Sequence, residues 1–182
     1  MSEKYKIGES FRPHFITMTV VDWVDLFTRP AYKDIIIDSF NYCINHKGLV
    51  LYAYCIMPSH VHIIARSTDY PLNGIIRDFK KFTCKRFIEI VESKEESRRS
   101  WLIRKFEYAA RRVEKGVNHK IWKDGFHPIE LTSTKMMEQK LNYLHQNPVM
   151  EEFVFHAEDW IYSSARFYSG QPDDKIALKM LR

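Results

Sequence analysis

His60 and His62 stand two residues apart where the polar turn Pro58-Ser59 gives way to the apolar run Val61-His62-Ile63-Ile64. In a β-strand successive side chains alternate faces, so both imidazoles point one way, their Cα atoms roughly 6 to 7 Å apart, and Val61 points the other. Neutral imidazole nitrogens are common metal ligands and a rigid strand fixes their spacing, which makes the pair a candidate half-site for a cation. Taken alone, the same spacing also describes two half-exposed strand residues that bind nothing. Other familiar chemistries are missing. The three cysteines, Cys43, Cys55 and Cys84, form no CxxC pair and read as buried thiols of a reducing compartment. With six glycines and no GxxxxGK, the chain has no phosphate-cradling loop of the NTPase type.

The elements that must position the histidines are read from periodicity. His14-Phe15-Ile16-Thr17-Met18-Thr19-Val20 is β-branched and aromatic, a first strand. Residues 22–29 form a connection. Pro30 opens a helix whose apolar positions Ile36, Phe40, Cys43 and Ile44 recur at helical spacing, and Gly48 closes it. The run 49–57 is too short and β-rich for a core helix and predicts a central strand. After the turn, 60–66 returns antiparallel to it, since so short a connection permits no crossover. Ile64 and Arg66 continue the histidine face; Val61, Ile63 and Ala65 face away.

A helix over 72–91 follows, with Leu72, Ile75, Ile76, Phe79, Phe82, Phe87, Ile90 and Val91 as its apolar stripe. Arg77, Lys80, Lys81, Lys85 and Arg86 flank that stripe. They suit either a phosphate backbone or a solvated face. Beyond a charged bend at 94–99, Trp101, Leu102, Phe106, Ala109, Ala110 and Val113 predict a further helix, interleaved with Arg104, Lys105, Arg111 and Arg112. Gly116-Val117-Asn118 breaks it, and Lys120-Ile121-Trp122-Lys123 reads as a short strand. Ser133 is placed to cap a last long helix over 134–146, stopped by Asn147-Pro148. Met137, Leu141 and Leu144 are its core stripe; Met136, Lys140, Tyr143 and Asn147 share the adjacent face. The remainder is an irregular wrap with a short tail.

At 182 residues, 45% hydrophobic and 14% aromatic, the chain suits one folded domain over 1–182, with a core near 14–168 and a tail over 169–182. No apolar run reaches the about eighteen residues of a membrane span, and Met1-Ser2-Glu3-Lys4-Tyr5-Lys6 holds no signal core. The expectation is a cytoplasmic protein with no membrane partner. The net charge of +5 and pI of about 9.0 favour a polyanionic partner if the surplus gathers on one face.

Three ordered motifs resemble one family. Pro58-Ser59-His60-Val61-His62, then Tyr143-Leu144-His145-Gln146-Asn147-Pro148-Val149, then Trp160-Ile161-Tyr162-Ser163-Ser164-Ala165 look like the single-tyrosine HUH transposases, closest to the REP-associated tyrosine transposases. The resemblance runs from Phe15 to about Tyr168. It implies an α+β fold, a ferredoxin-like antiparallel sheet with helices packed on one face and a mobile tyrosine-bearing helix. It implies Tyr143 as the nucleophile and His60, His62 and Asn147 as ligands of a divalent metal, Mg2+ or Mn2+. The implied partner is single-stranded DNA carrying a hairpin from a repeat element, with Arg77, Lys80, Lys81, Lys85, Arg104 and Lys105 as the contact set and a homodimer as one possible assembly.

The chemistry implied is nicking and rejoining through a 5'-phosphotyrosine. A phenol with a reference pKa of about 10 is only about a thousandth ionised at neutral pH, so it needs help as a nucleophile, and a cation polarising the phosphate supplies it. Because the phosphotyrosine retains the bond energy for rejoining, no ATP is needed. The sequence departs from the family where Met150-Glu151-Glu152-Phe153 replaces a small residue followed by glycine. Asn147 also suits a plain helix C-cap. The competing reading is a non-catalytic nucleic-acid-binding module with a vestigial metal site, and a third is a small metal hydrolase with no covalent intermediate.

Overall fold

The computed structural model describes residues 10–93, 95–112, 116 and 118–181. Lys94 of the charged bend, Val113 of the third helix's apolar set and Val117 lie outside the described residues, as do the leader residues 1–9. The elements run β1 (His14–Thr19), α1 (Pro30–Lys47), β2 (Leu49–Ile56), β3 (His60–Ser67), α2 (Leu72–Glu92), α3 (Arg99–Arg111), β4 (Ile129–Glu130), α4 (Thr134–Met150) and α5 (Ala165–Tyr168). The four strands form one antiparallel sheet in the order β2-β3-β1-β4, the ferredoxin-like arrangement, with the histidine strand β3 inside it.

Local signals explain much of this. Pro30 occupies the first turn of α1, where its missing N–H costs nothing. Gly48 ends the helix at φ 66°, and a Cβ there would run into the side chains of Thr68 and Asp69. Ser133 caps α4 by accepting the Met136 N–H.

The sheet has two covered faces. Ile16, Met18, Val61, Ile63 and Ala65 pack with Ile36 and Phe40 of α1, Ile76 and Phe79 of α2, and Leu102 and Phe106 of α3. The other face carries Phe15, Ala53, Cys55, Met57 and Ile64, on which Leu144 of α4 is buried. The tyrosine helix thus takes the histidine face, opposite α1 and α2. A bulge between Leu51 and Ala53 lets β2 serve both layers. Before it Leu49 and Leu51 face the first core, and after it the parity flips, so that Tyr54 and Ile56 do.

Several expectations are corrected. β2 is an edge strand, not a central one. It reads as continuously apolar because its outer edge is also covered: Ile56 N–H donates to Tyr162 O, Ser164 N–H to Tyr54 O, and Lys179 N–H to Leu51 O. Helix α4 does not stop at Asn147-Pro148 but continues to Met150. Leu144, His145, Asn147 and Pro148 are all buried, and that packing outweighs the local preference against helix before proline. Its exit uses Glu152 at φ 59°, a left-handed position that favours glycine, beside the departure noted in the sequence. Phe82 leaves the α2 stripe and is exposed. Trp122 contributes only an isolated bridge to Val20, while the edge strand proper is Ile129–Glu130.

Candidate functional site

Strand β3 delivers His60 and His62 to one face, their ring centroids 4.7 Å apart. The Nδ1 atom of each is engaged: His62 with Thr17 Oγ1 at 2.9 Å across the β1–β3 pairing, His60 with Ser59 Oγ at 3.1 Å. Those partners fix ring orientation and leave both Nε2 atoms aimed elsewhere. His60 Nε2 lies 3.3 Å from Asn147 Oδ1. His62 Nε2 is buried and has no hydrogen-bond partner among the described residues. A buried imidazole nitrogen left unsatisfied is costly, and a ligand at that point would relieve it.

The electrostatics agree with ligation by neutral rings. Burial first, then the neighbouring His60 ring and Lys140, push His62 down to about 3. Burial also lowers His60, against smaller upward pulls from Asn147, Glu151 and Asp25. Both rings are therefore unprotonated at neutral pH, with lone pairs available. Two imidazole nitrogens and an amide oxygen suit Mn2+ or, with retained waters, Mg2+. Among the described residues no cluster of three or more His, Cys, Asp or Glu forms another candidate cation site. The donor set here is completed by an amide instead of a carboxylate.

Helix α4 supplies the rest. It runs antiparallel to β3, so that Asn147 meets His60 while Tyr143, one turn earlier, meets His62 with ring centroids 5.5 Å apart. Asn147 is therefore not a C-cap; its side chain points into the site. Tyr143 also touches Phe15 edge-on at 5.9 Å and is 41% exposed, so the side chain is accessible from solvent. Lys140 places its ammonium 5.6 Å from the Tyr143 ring and 5.0 Å from Phe15. Tyrosine, two imidazoles and an amide converge within one chain.

The basic residues expected to contact DNA are not part of this cluster. Arg77, Lys80, Lys81 and Lys85 belong to α2, which packs on the opposite face of the sheet. Lys80 donates to the carbonyls of Lys123 and Gly125 at 2.7 and 2.6 Å, and burial lowers it to about 8. Arg77 pairs with Asp78, and Arg104 donates to Ser100 O in its own helix. Lys81 and Lys85 are exposed. Lys105 approaches the site's margin, pairing with Asp22 at 3.4 Å.

Sequence reasoning missed Thr17, Trp23 and Lys123. Thr17 shares a strand face with Phe15, but only the register against β3 sets it beside His62. Trp23 lies edge-on to His60 at 5.5 Å, with Lys123 Nζ 4.5 Å from its ring centre; nothing local signals either. His145 donates to or accepts from Ser164 Oγ at 2.9 Å and is pushed down to about 4 by burial, a tie between α4 and the C-terminal wrap.

No protein-family model matches the chain, and no curated protein does. Among solved structures it is similar to a REP-associated tyrosine transposase bound to a REP hairpin, at 19% identity and a TM-score of 0.62, covering 100% of this chain and 94% of that one. A candidate transposase from Deinococcus radiodurans R1 is 13% identical, with a TM-score of 0.45 over 79% of this chain and 96% of that one. The chain shares the fold of the first. No helix among the described residues is long and apolar enough to cross a membrane.

Proposed function

We propose that this chain is a REP-associated tyrosine transposase-like enzyme that nicks and rejoins single-stranded DNA beside a hairpin through Tyr143. The observation carrying this reading is the placement of Tyr143 against His62, whose buried Nε2 has no partner among the described residues, beside His60, whose Nε2 meets Asn147. The fold likeness to a hairpin-bound transposase supports the choice of DNA. A divalent cation, Mg2+ or Mn2+, held by His60, His62 and Asn147 would offset charge developing on the phosphate oxygens.

In the step itself the Tyr143 phenol oxygen bonds to phosphorus as the bond from phosphorus to the 3'-oxygen breaks. The phenolic proton passes to solvent and the departing 3'-oxygen takes one up, leaving a 5'-phosphotyrosine and a free 3'-hydroxyl. One phosphate ester replaces another, so the reverse reaction rejoins the strand without an external energy source. Thr17 and Ser59 hold the imidazoles, and Lys140 adds positive charge where the phosphate must approach the phenol.

The test uses the purified chain, Mn2+ and a labelled pool of single-stranded hairpin oligonucleotides with randomised flanks. A covalent protein–DNA adduct should form, disappear with chelator and be absent in Tyr143→Phe. Salt-sensitive binding without any adduct would instead leave a nucleic-acid-binding module, and cleavage without an adduct would leave a metal hydrolase.

A further inference from the structure

Between β1 and α1 the chain makes a tight turn, Val21–Trp23, in which Asp22 and Trp23 adopt φ of 53° and 55°. A bulky aromatic side chain rarely occupies the left-handed region, because its Cβ crowds the following carbonyl. The turn is strapped in place from both sides. Val20 N–H donates to Ser59 O at 2.9 Å, Val21 N–H to Ile121 O at 2.7 Å, and Lys123 N–H to Thr19 O at 2.8 Å. Yet the indole so held is 57% exposed, so burial returns little for the strain. An exposed aromatic fixed in a disfavoured conformation beside a candidate active site calls for an explanation in binding.

Its neighbours indicate what binds. Lys123 Nζ lies 4.5 Å from the indole centre and pairs with no carboxylate among the described residues. A flat apolar surface with an uncompensated cation alongside matches one nucleotide, base on the indole and phosphate on the ammonium. The order of ring contacts then assigns which nucleotide. Trp23 meets His60 at 5.5 Å, His60 meets His62 at 4.7 Å, and His62 meets Tyr143 at 5.5 Å. Trp23 and Tyr143 thus flank opposite ends of the histidine pair. Phosphoryl transfer sets attacking and leaving oxygens roughly in line, so a phosphate over the histidines turns its departing 3'-oxygen away from Tyr143.

We propose that Trp23, with Lys123, is a stacking platform for the base of the nucleotide that leaves with the 3'-hydroxyl. This rests on the nicking reaction proposed above and adds a consequence to it. After cleavage the downstream strand is tethered covalently through Tyr143, while the upstream strand has no bond to the protein. Stacking on Trp23 keeps its 3'-hydroxyl in place for rejoining. Because every base has a π-face, the platform tolerates any base at that position.

The experiment is a binding cycle in the Tyr143→Phe background, which needs no turnover. A hairpin oligonucleotide recovered from the pool for binding is resynthesised with one abasic site walked along its single-stranded arm. Each is titrated against protein with Trp23 intact and with Trp23→Ala or Trp23→Phe. One abasic position should weaken binding about tenfold or more with Trp23 intact and have almost no further effect in Trp23→Ala, with Trp23→Phe between the two. That position should be the nucleotide immediately 5' of the bond cleaved in the adduct assay. Circular dichroism of the variants confirms folding. A Trp23→Ala loss that is equal for every oligonucleotide, or coupling to a base downstream of the cleaved bond, overturns the platform while leaving adduct formation standing. Absence of both adduct and arm binding overturns the underlying reading and this inference with it.

Discussion

Acidification tests how completely the histidine pair is buried. His62 is held down to about 3, first by burial and then by His60 and Lys140, against an ordinary value of about 6.5. In the unfolded chain the ring takes up a proton as pH falls through about 6.5, whereas in the folded protein it stays neutral until about 3. The unfolded state binds more protons throughout that window, so stability is lost as pH falls across it. By about pH 4.5, some two units below the unfolded value, one such ring costs about 2 to 3 kcal/mol relative to neutral pH. Urea unfolding of wild type and His62→Asn at about pH 7 and about pH 4.5, without added metal, isolates this share. His145 contributes in both proteins and cancels in the difference, whereas His60, in ring contact with His62, is part of the share that is read. Wild type should lose about 2 to 3 kcal/mol more than His62→Asn over the interval. Equal losses would mean that the ring accepts a proton in the folded protein, and the closed, ligand-ready geometry described for it would be refuted.

Two further outcomes follow from the packing. Leu144 anchors the tyrosine helix on Ala53, Cys55 and Ile64. Leu144→Ala should lower stability by about 2 to 5 kcal/mol, read by chemical denaturation, and a change under about 1 kcal/mol would deny that this contact holds α4. Lys80 binds two loop carbonyls, so Lys80→Met should cost about 1 to 3 kcal/mol of stability and leave the salt dependence of hairpin binding unchanged. A slope reduced by about one would assign it to a phosphate after all.

Local chemistry made a large part of the architecture legible. Pro30 and Gly48 bracket α1, the short Pro58-Ser59 turn forces β2 and β3 antiparallel, and the alternation along β3 sends His60 and His62 one way and Val61 and Ile63 the other. The four-residue step from Tyr143 to Asn147 sets phenol and amide on one helix face. All of these are relations within a few residues, which backbone geometry dictates directly. Tertiary structure decided the rest. His60 and Asn147 are 87 residues apart, and only the packing of α4 on the sheet brings them together. Burial carried α4 through Asn147-Pro148, where local preference would have ended it. The edge position of β2 was hidden because a segment more than a hundred residues later covers it. Lys80 read as a free cation because the carbonyls that bind it lie over forty residues downstream. Trp23 came to His60 through a turn strapped by the loop after α3. Residue order settles the donor groups and their local spacing; which of them share a site follows from packing, because distant pairings depend on register and burial that no local pattern encodes.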